Sequence, residues 1–136
     1  MRVLALLLLL PTLTLAAPWS RKTEPVLLTV DQAFQLEPVT WRDGVLTASF
    51  RVTPGHYLYQ DKLEVLTDIP LPLTSPQGER YEDPHFGNVV IYRHDVVVTA
   101  PVSAPPAEVT VQWQGCADIG ICYPPQRETV AVDVLP

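Results

Sequence analysis

Leu46-Thr47-Ala48-Ser49-Phe50-Arg51-Val52 places an apolar side chain at every second position. A period of two puts Leu46, Ala48, Phe50 and Val52 on one face and Thr47, Ser49 and Arg51 on the other, the pattern of a half-buried strand. Asp43-Gly44 just before it is a tight-turn dipeptide, and Pro54-Gly55 just after it breaks the chain. The alternation returns in Val109, Val111 and Trp113, and again in Val130, Val132 and Val134. Shorter runs at Tyr57–Tyr59, Leu63–Leu66, Val89–Tyr92 and Val96–Val102 also read as strands, as does Val26–Val30 near the start. Asp31-Gln32-Ala33-Phe34 reads as a turn or one helical turn capped by Asp31. About eight short strands, with turn signals between them and no long apolar pattern of period 3.6, predict an all-β antiparallel sandwich, with a barrel as second choice.

Composition agrees. At 136 residues one compact domain is the ceiling. The 15 prolines are spread so that the longest proline-free run lies between Pro106 and Pro124, which leaves no room for a helical bundle. A net charge of −6 speaks against nucleic acid as a partner, and 47% hydrophobic residues speak against disorder. Met1-Arg2, the apolar Val3–Leu15 and the small residues Ala16-Ala17 form the three parts of a secretory signal, with cleavage near Ala16/Ala17. The apolar part falls short of the roughly 20 residues that span a bilayer. The chain divides into a signal peptide (1–17), an arm with a possible first strand (18–29) and one domain (30–136). Without Arg2 the charge of −6 becomes −7. The mature chain is predicted to be exported, with no membrane span and no nucleic-acid partner, and to act as a monomer.

Two cysteines make neither a multi-disulfide scaffold nor a four-cysteine zinc site. They lie in Gly115-Cys116-Ala117-Asp118-Ile119-Gly120-Ile121-Cys122-Tyr123-Pro124-Pro125, between the predicted strands Val109–Gly115 and Arg127–Val134. There they would clip the mouth of a hairpin loop. An exported chain permits a disulfide. A seven-residue ring stabilises by roughly 2.4 kcal/mol, against about 4.7 for a 100-residue loop, so a purely structural bond gains more elsewhere. An accessible loop suits a bond that another protein must reach, and both readings stay open on spacing alone. His56, His85 and His94 make no compact metal-ligand motif, and neither a nucleophile elbow nor a phosphate-binding glycine motif occurs. No metal or other cofactor is predicted. Trp41 and Trp113 read as core, and Tyr92 and Tyr123 as core or site rim.

The run Gln114–Pro125 resembles the active-site segment of the N-terminal periplasmic domain of the thiol:disulfide interchange protein DsbD. Asp31-Gln32-Ala33-Phe34, Gly55-His56-Tyr57-Leu58-Tyr59, Tyr81-Glu82-Asp83-Pro84-His85-Phe86-Gly87 and Ile91-Tyr92-Arg93 resemble further segments of that family, in the same order. The resemblance implies an immunoglobulin-like sandwich with one redox-active cysteine pair. It implies Cys122 as the attacking cysteine and Cys116 as its resolving partner. Tyr57 and Tyr59 would lie beside the pair, and Asp83–Gly87 would form a cap. It further implies thioredoxin-fold partners, as electron donor and acceptors, joined by a transient mixed disulfide. The family protein continues into a membrane domain and a thioredoxin-like domain, so here the donor is expected on another chain. The competing reading is a redox-silent binding module whose loop disulfide only shapes a surface. If Asp83 or Glu82 sits by Cys122, its charge disfavours the thiolate. The family cap carries phenylalanine where this chain has His85, with Phe86 next. A shield made by His85 would vary with pH, since histidine is the side chain that changes charge near neutrality.

Overall fold

The computed structural model describes residues 27–136, so the predicted signal peptide and most of the arm lie outside the described residues. In chain order the elements are α1 (Val30–Ala33), β1 (Phe34–Leu36), β2 (Thr40–Arg42), β3 (Val45–Val52), β4 (His56–Tyr59), a 3-10 turn (Gln60–Lys62), β5 (Glu64–Leu66), β6 (Glu79–Asp83), β7 (Gly87–Tyr92), β8 (Val96–Pro101), β9 (Glu108–Trp113), β10 (Gly115–Ala117), β11 (Ile121–Cys122), β12 (Gln126–Ala131) and β13 (Asp133–Val134).

The alternating stretch is β3, the centre of the first sheet. It pairs along one edge with β8, along the other with β1 and β2, and β13 lies beyond β2. The second layer holds β11-β10-β4-β7-β6 and β12-β9-β5. Its two halves run into each other, because only Gln114 separates β9 from β10 and the Tyr59 N–H donates to Gln114 O at 3.0 Å. Leu46, Ala48, Phe50, Val96 and Val98 of the first layer face Val65, Val109, Val111 and Trp113 of the second in one buried cluster. Phe50 and Trp113 meet edge to face with ring centres 5.3 Å apart. Each large apolar side chain so buried is worth about 1.5–3 kcal/mol. The strands form a two-layer sandwich, and the pairing closes no barrel among the described residues.

Three readings of the sequence need correction. Leu27–Thr29 make no strand, and Val30 begins α1 instead. The Leu28 carbonyl accepts the Tyr123 hydroxyl at 2.7 Å rather than a ladder hydrogen bond. Thr29, not Asp31, is the helix cap, and its N–H donates to Gln32 Oε1 at 3.1 Å. The single strand expected over Arg127–Val134 breaks at Val132, whose N–H donates to Ala107 O, while the Asp133 N–H donates to Val39 O in the other layer. The chain thereby changes sheets, and β13 pairs with β2 in parallel, the one parallel strand pair among the described residues of an otherwise antiparallel sandwich.

Candidate functional site

β10 and β11 form a hairpin at the edge of the second layer, with Cys116 directly opposite Cys122. The two sulfurs are bonded, and the Cα atoms are 3.9 Å apart. Asp118–Gly120 make the turn, where Gly120 takes φ 95°, a left-handed conformation that glycine adopts without steric cost. β10 also pairs with β4, setting Cys116 opposite Tyr57. The approach is close at Gly115, where a Cβ would lie 2.4 Å from both Phe34 Cζ and Tyr57 O. The two sulfur residues differ in access. Cys116 is 0% exposed, whereas Cys122, on the edge strand, is half-buried.

Side chains two residues apart on a strand share a face. Tyr57 and Tyr59 on β4, and Tyr81 and Asp83 on β6, therefore converge. With Ile91 of β7 and Cys116 they form a small cluster apart from the main core. Asp83 is 3% exposed and fully hydrogen-bonded. Its Oδ2 accepts the hydroxyls of Tyr57 at 2.7 Å and Tyr59 at 2.6 Å. Its Oδ1 accepts the backbone N–H groups of His85 at 2.7 Å and Phe86 at 3.0 Å. Burial pushes the Asp83 carboxyl up, but these four donors outweigh it and hold the group below its ordinary value. Burial, together with the adjoining carboxylate, pushes both tyrosines well above theirs.

The Tyr59 hydroxyl also stands 2.9 Å from Cys116 Sγ and 3.8 Å from Cys122 Sγ. Its single proton goes to Asp83, so it presents a lone pair to the sulfurs. Such an oxygen accepts from a thiol and gives nothing to a thiolate. The carboxylate thus reaches the pair through Tyr59 rather than by touching Cys122. Glu82, on the opposite face of β6, is exposed.

Asp83–Gly87 is the turn between β6 and β7 and overhangs this cluster. The Phe86 ring packs edge-on against Tyr59 at 5.0 Å, with Lys62 Nζ 5.1 Å from its centre. His85 instead reaches across the hairpin, its Nε2 3.5 Å from Gly120 O. Tyr123 follows Cys122 in the chain, but its ring lies outside this cluster. It belongs to the main core, packed against Phe34 at 5.8 Å. Tyr81 and Ile91 join the Asp83 cluster and Arg93 reaches the cysteine turn, although the sequence marked them only as parts of the resembling segments and not as candidate site residues. The two-residue spacing from Tyr81 to Asp83 was the available signal for the first.

Fold and site define an immunoglobulin-like β-sandwich with one cysteine pair, closed as a disulfide, on a sheet-edge hairpin. Residues 24–134 match the family described as thiol:disulfide interchange protein DsbD, N-terminal. The chain belongs to that family. It is 38% identical to thiol:disulfide interchange protein DsbD 2 of Pseudomonas aeruginosa, over 94% of this chain and 23% of that protein. It is 34% identical to DsbD of Cronobacter sakazakii, over 98% of this chain and 24% of that protein. The chain therefore spans about a quarter of the length of these relatives. Among solved structures it is similar to the reduced DsbD N-terminal domain of Neisseria meningitidis, with TM-score 0.70 and 29% identity, over 79% of this chain and 90% of that one. It is also similar to a chain from the complex of the DsbD and PilB N-terminal domains of the same organism, with TM-score 0.65 and 29% identity, over 77% of this chain and 86% of that one.

Proposed function

We propose that this domain relays reducing equivalents outside the cytoplasm, in the periplasm or an equivalent exported space, by thiol–disulfide exchange with thioredoxin-fold proteins. The observation that carries the reading is the unequal access of the two sulfurs on one edge hairpin. In the reduced chain the half-buried Cys122 attacks a partner disulfide as thiolate, forms a mixed disulfide and releases one partner thiolate. Cys116, held opposite, then attacks Cys122 Sγ, reforms the intramolecular bond and releases the second partner thiol. Two electrons and the two cysteine protons pass to the partner. Run backwards, the same steps recharge the pair from a dithiol donor. The complex of the meningococcal DsbD and PilB N-terminal domains supports a protein partner.

Asp83 and Tyr59 act on the resting state. With the Tyr59 proton committed to Asp83, the reduced sulfurs are favoured as thiols, and a thiol is a poor nucleophile. The turn at His85 and Phe86 covers the same cluster. A docking partner that displaces it would reach the sulfurs.

The test is a trap. Reduced Cys116→Ala protein, mixed with a disulfide-bearing thioredoxin-fold protein, should accumulate an adduct through Cys122. No adduct with any such partner, together with a reduction potential well below about −300 mV, would leave a disulfide that only shapes a surface.

A further inference from the structure

Arg93 follows β7 directly and takes no part in the chemistry above. Its half-buried guanidinium is held from two strands, β4 and β6, and from the cysteine turn. Nε donates to Glu79 Oε2 at 3.0 Å, and Nη1 donates to Asp118 Oδ1. Cζ stands 5.3 Å from the centre of the Tyr57 ring and 5.1 Å from that of Tyr81. A single exposed ion pair contributes little. A guanidinium held by two rings and two carboxylates is different, because its rigid fork fixes the geometry of what it binds.

What it binds is the cysteine hairpin. Asp118 opens the turn between the two cysteine strands, and its own N–H donates to Gly55 O at 2.8 Å. β11 is two residues long and, among the described residues, pairs with β10 alone. In the oxidised chain the disulfide itself ties β11 to β10. Once that bond opens, the short β10–β11 ladder, with the Tyr123 N–H donating to Gly115 O at 3.0 Å, and the Asp118 contacts are left to hold the turn against the sheet.

We propose that Arg93 is a positioning residue for the cysteine pair: by anchoring the turn through Asp118 it keeps the reduced sulfurs opposed and so favours the disulfide over the dithiol. The inference rests on the opening and closing of the pair proposed above, but on no partner. Anchor and disulfide each restrict the same hairpin, so each makes the other more favourable, and the coupling is reciprocal.

The measurement is the equilibrium of the whole chain with glutathione. Oxidation forms the Cys116–Cys122 bond, breaks the bond of glutathione disulfide and moves both cysteine protons to the two glutathione thiols. Arg93→Gln should lower the equilibrium constant for closure roughly tenfold, a rise of about 30 mV in potential. Arg93→Lys, which keeps the charge without the fork, should fall between the two. Asp118→Asn should reproduce the shift and add little to Arg93→Gln, and it carries the test alone if Arg93→Gln fails to fold. Arg51→Gln, on β3 and away from the site, removes an ion pair with Glu37 and should leave the potential unmoved. An unchanged potential in folded Arg93→Gln or Asp118→Asn, or an equal shift in Arg51→Gln, would overturn the proposal. Failure of the Cys116→Ala trap would remove the relay and leave this result standing, so the two can fail separately.

Discussion

Replacing Asp83 by asparagine removes one negative charge and almost no volume. The carboxylate Oδ2 lies 2.6 Å from the Tyr59 oxygen, which lies 3.8 Å from Cys122 Sγ. A unit charge roughly 6 Å away at an effective dielectric of about 20 interacts by about 2.8 kcal/mol, which is about 2 pKa units. In the reduced protein Asp83→Asn should therefore lower the Cys122 pKa by about that much. Tyr59, released from the carboxylate, can also turn its proton to the sulfur. Thiolate at neutral pH then rises up to about a hundredfold, while the lower basicity of the sulfur costs about tenfold in intrinsic reactivity, leaving a net gain of about tenfold. The assay is the rate of iodoacetamide alkylation of the reduced protein across pH, with the modified sulfur located by mass spectrometry. The substituted side chain still accepts the two backbone N–H groups through its carbonyl oxygen, but its amide meets two hydroxyls, so a stability loss of about 1–3 kcal/mol should accompany the change. A folded variant whose alkylation midpoint matches wild type would show that Asp83 does not govern the sulfurs, and the account of the resting state would fail.

The same cluster should shape stability against pH. The lowered Asp83 value adds stability above about pH 4 that is lost on acidification, and the raised tyrosine values add stability below about pH 10 that is lost as pH rises. Urea midpoints from acid to alkaline pH should show both limbs, and Tyr57→Phe should flatten the alkaline one; an identical alkaline limb would contradict the assignment. Gly115→Ala should destabilise by about 1–3 kcal/mol in a thermal melt, because the new Cβ meets Phe34 and the Tyr57 backbone at 2.4 Å. A wild-type melting temperature would mean that β10 can move away from β4. Phe86→Ala should speed reduction of the disulfide by a small thiol several-fold by uncovering Tyr59 and the hairpin, and an unchanged rate would mean that the turn is no barrier.

The pleat explains which elements were legible. Alternation along β3 and β9 is a local record of one buried face, so Leu46–Val52 and Val109–Trp113 revealed themselves without their partners. β1, β2, β11 and β13 are two or three residues long, too short to show a period, and exist because a neighbouring strand supplies the ladder. The break at Val132 was hidden because the pattern Val130, Val132, Val134 continues unbroken while the backbone changes sheets.

The site divides along the same line. Cys116 and Cys122, bracketed by Gly115, Gly120 and Pro124-Pro125, marked a clipped hairpin from local residues alone, and the ordered motifs around them carried the family. Which of two adjacent acids faces the sulfurs, and through what, was not local information. Asp83 lies 24 residues from Tyr59, and Tyr59 lies 57 from Cys116. Their meeting depends on β7 lying between β4 and β6, which brings the side chains of both outer strands onto one face. Arg93 depends on the same packing, since its contacts come from β4, β6 and the cysteine turn. The amino-acid order therefore settled the sandwich and the clipped hairpin at its edge. The tertiary structure decided the electrostatic setting, because charge acts through space between segments far apart in the chain.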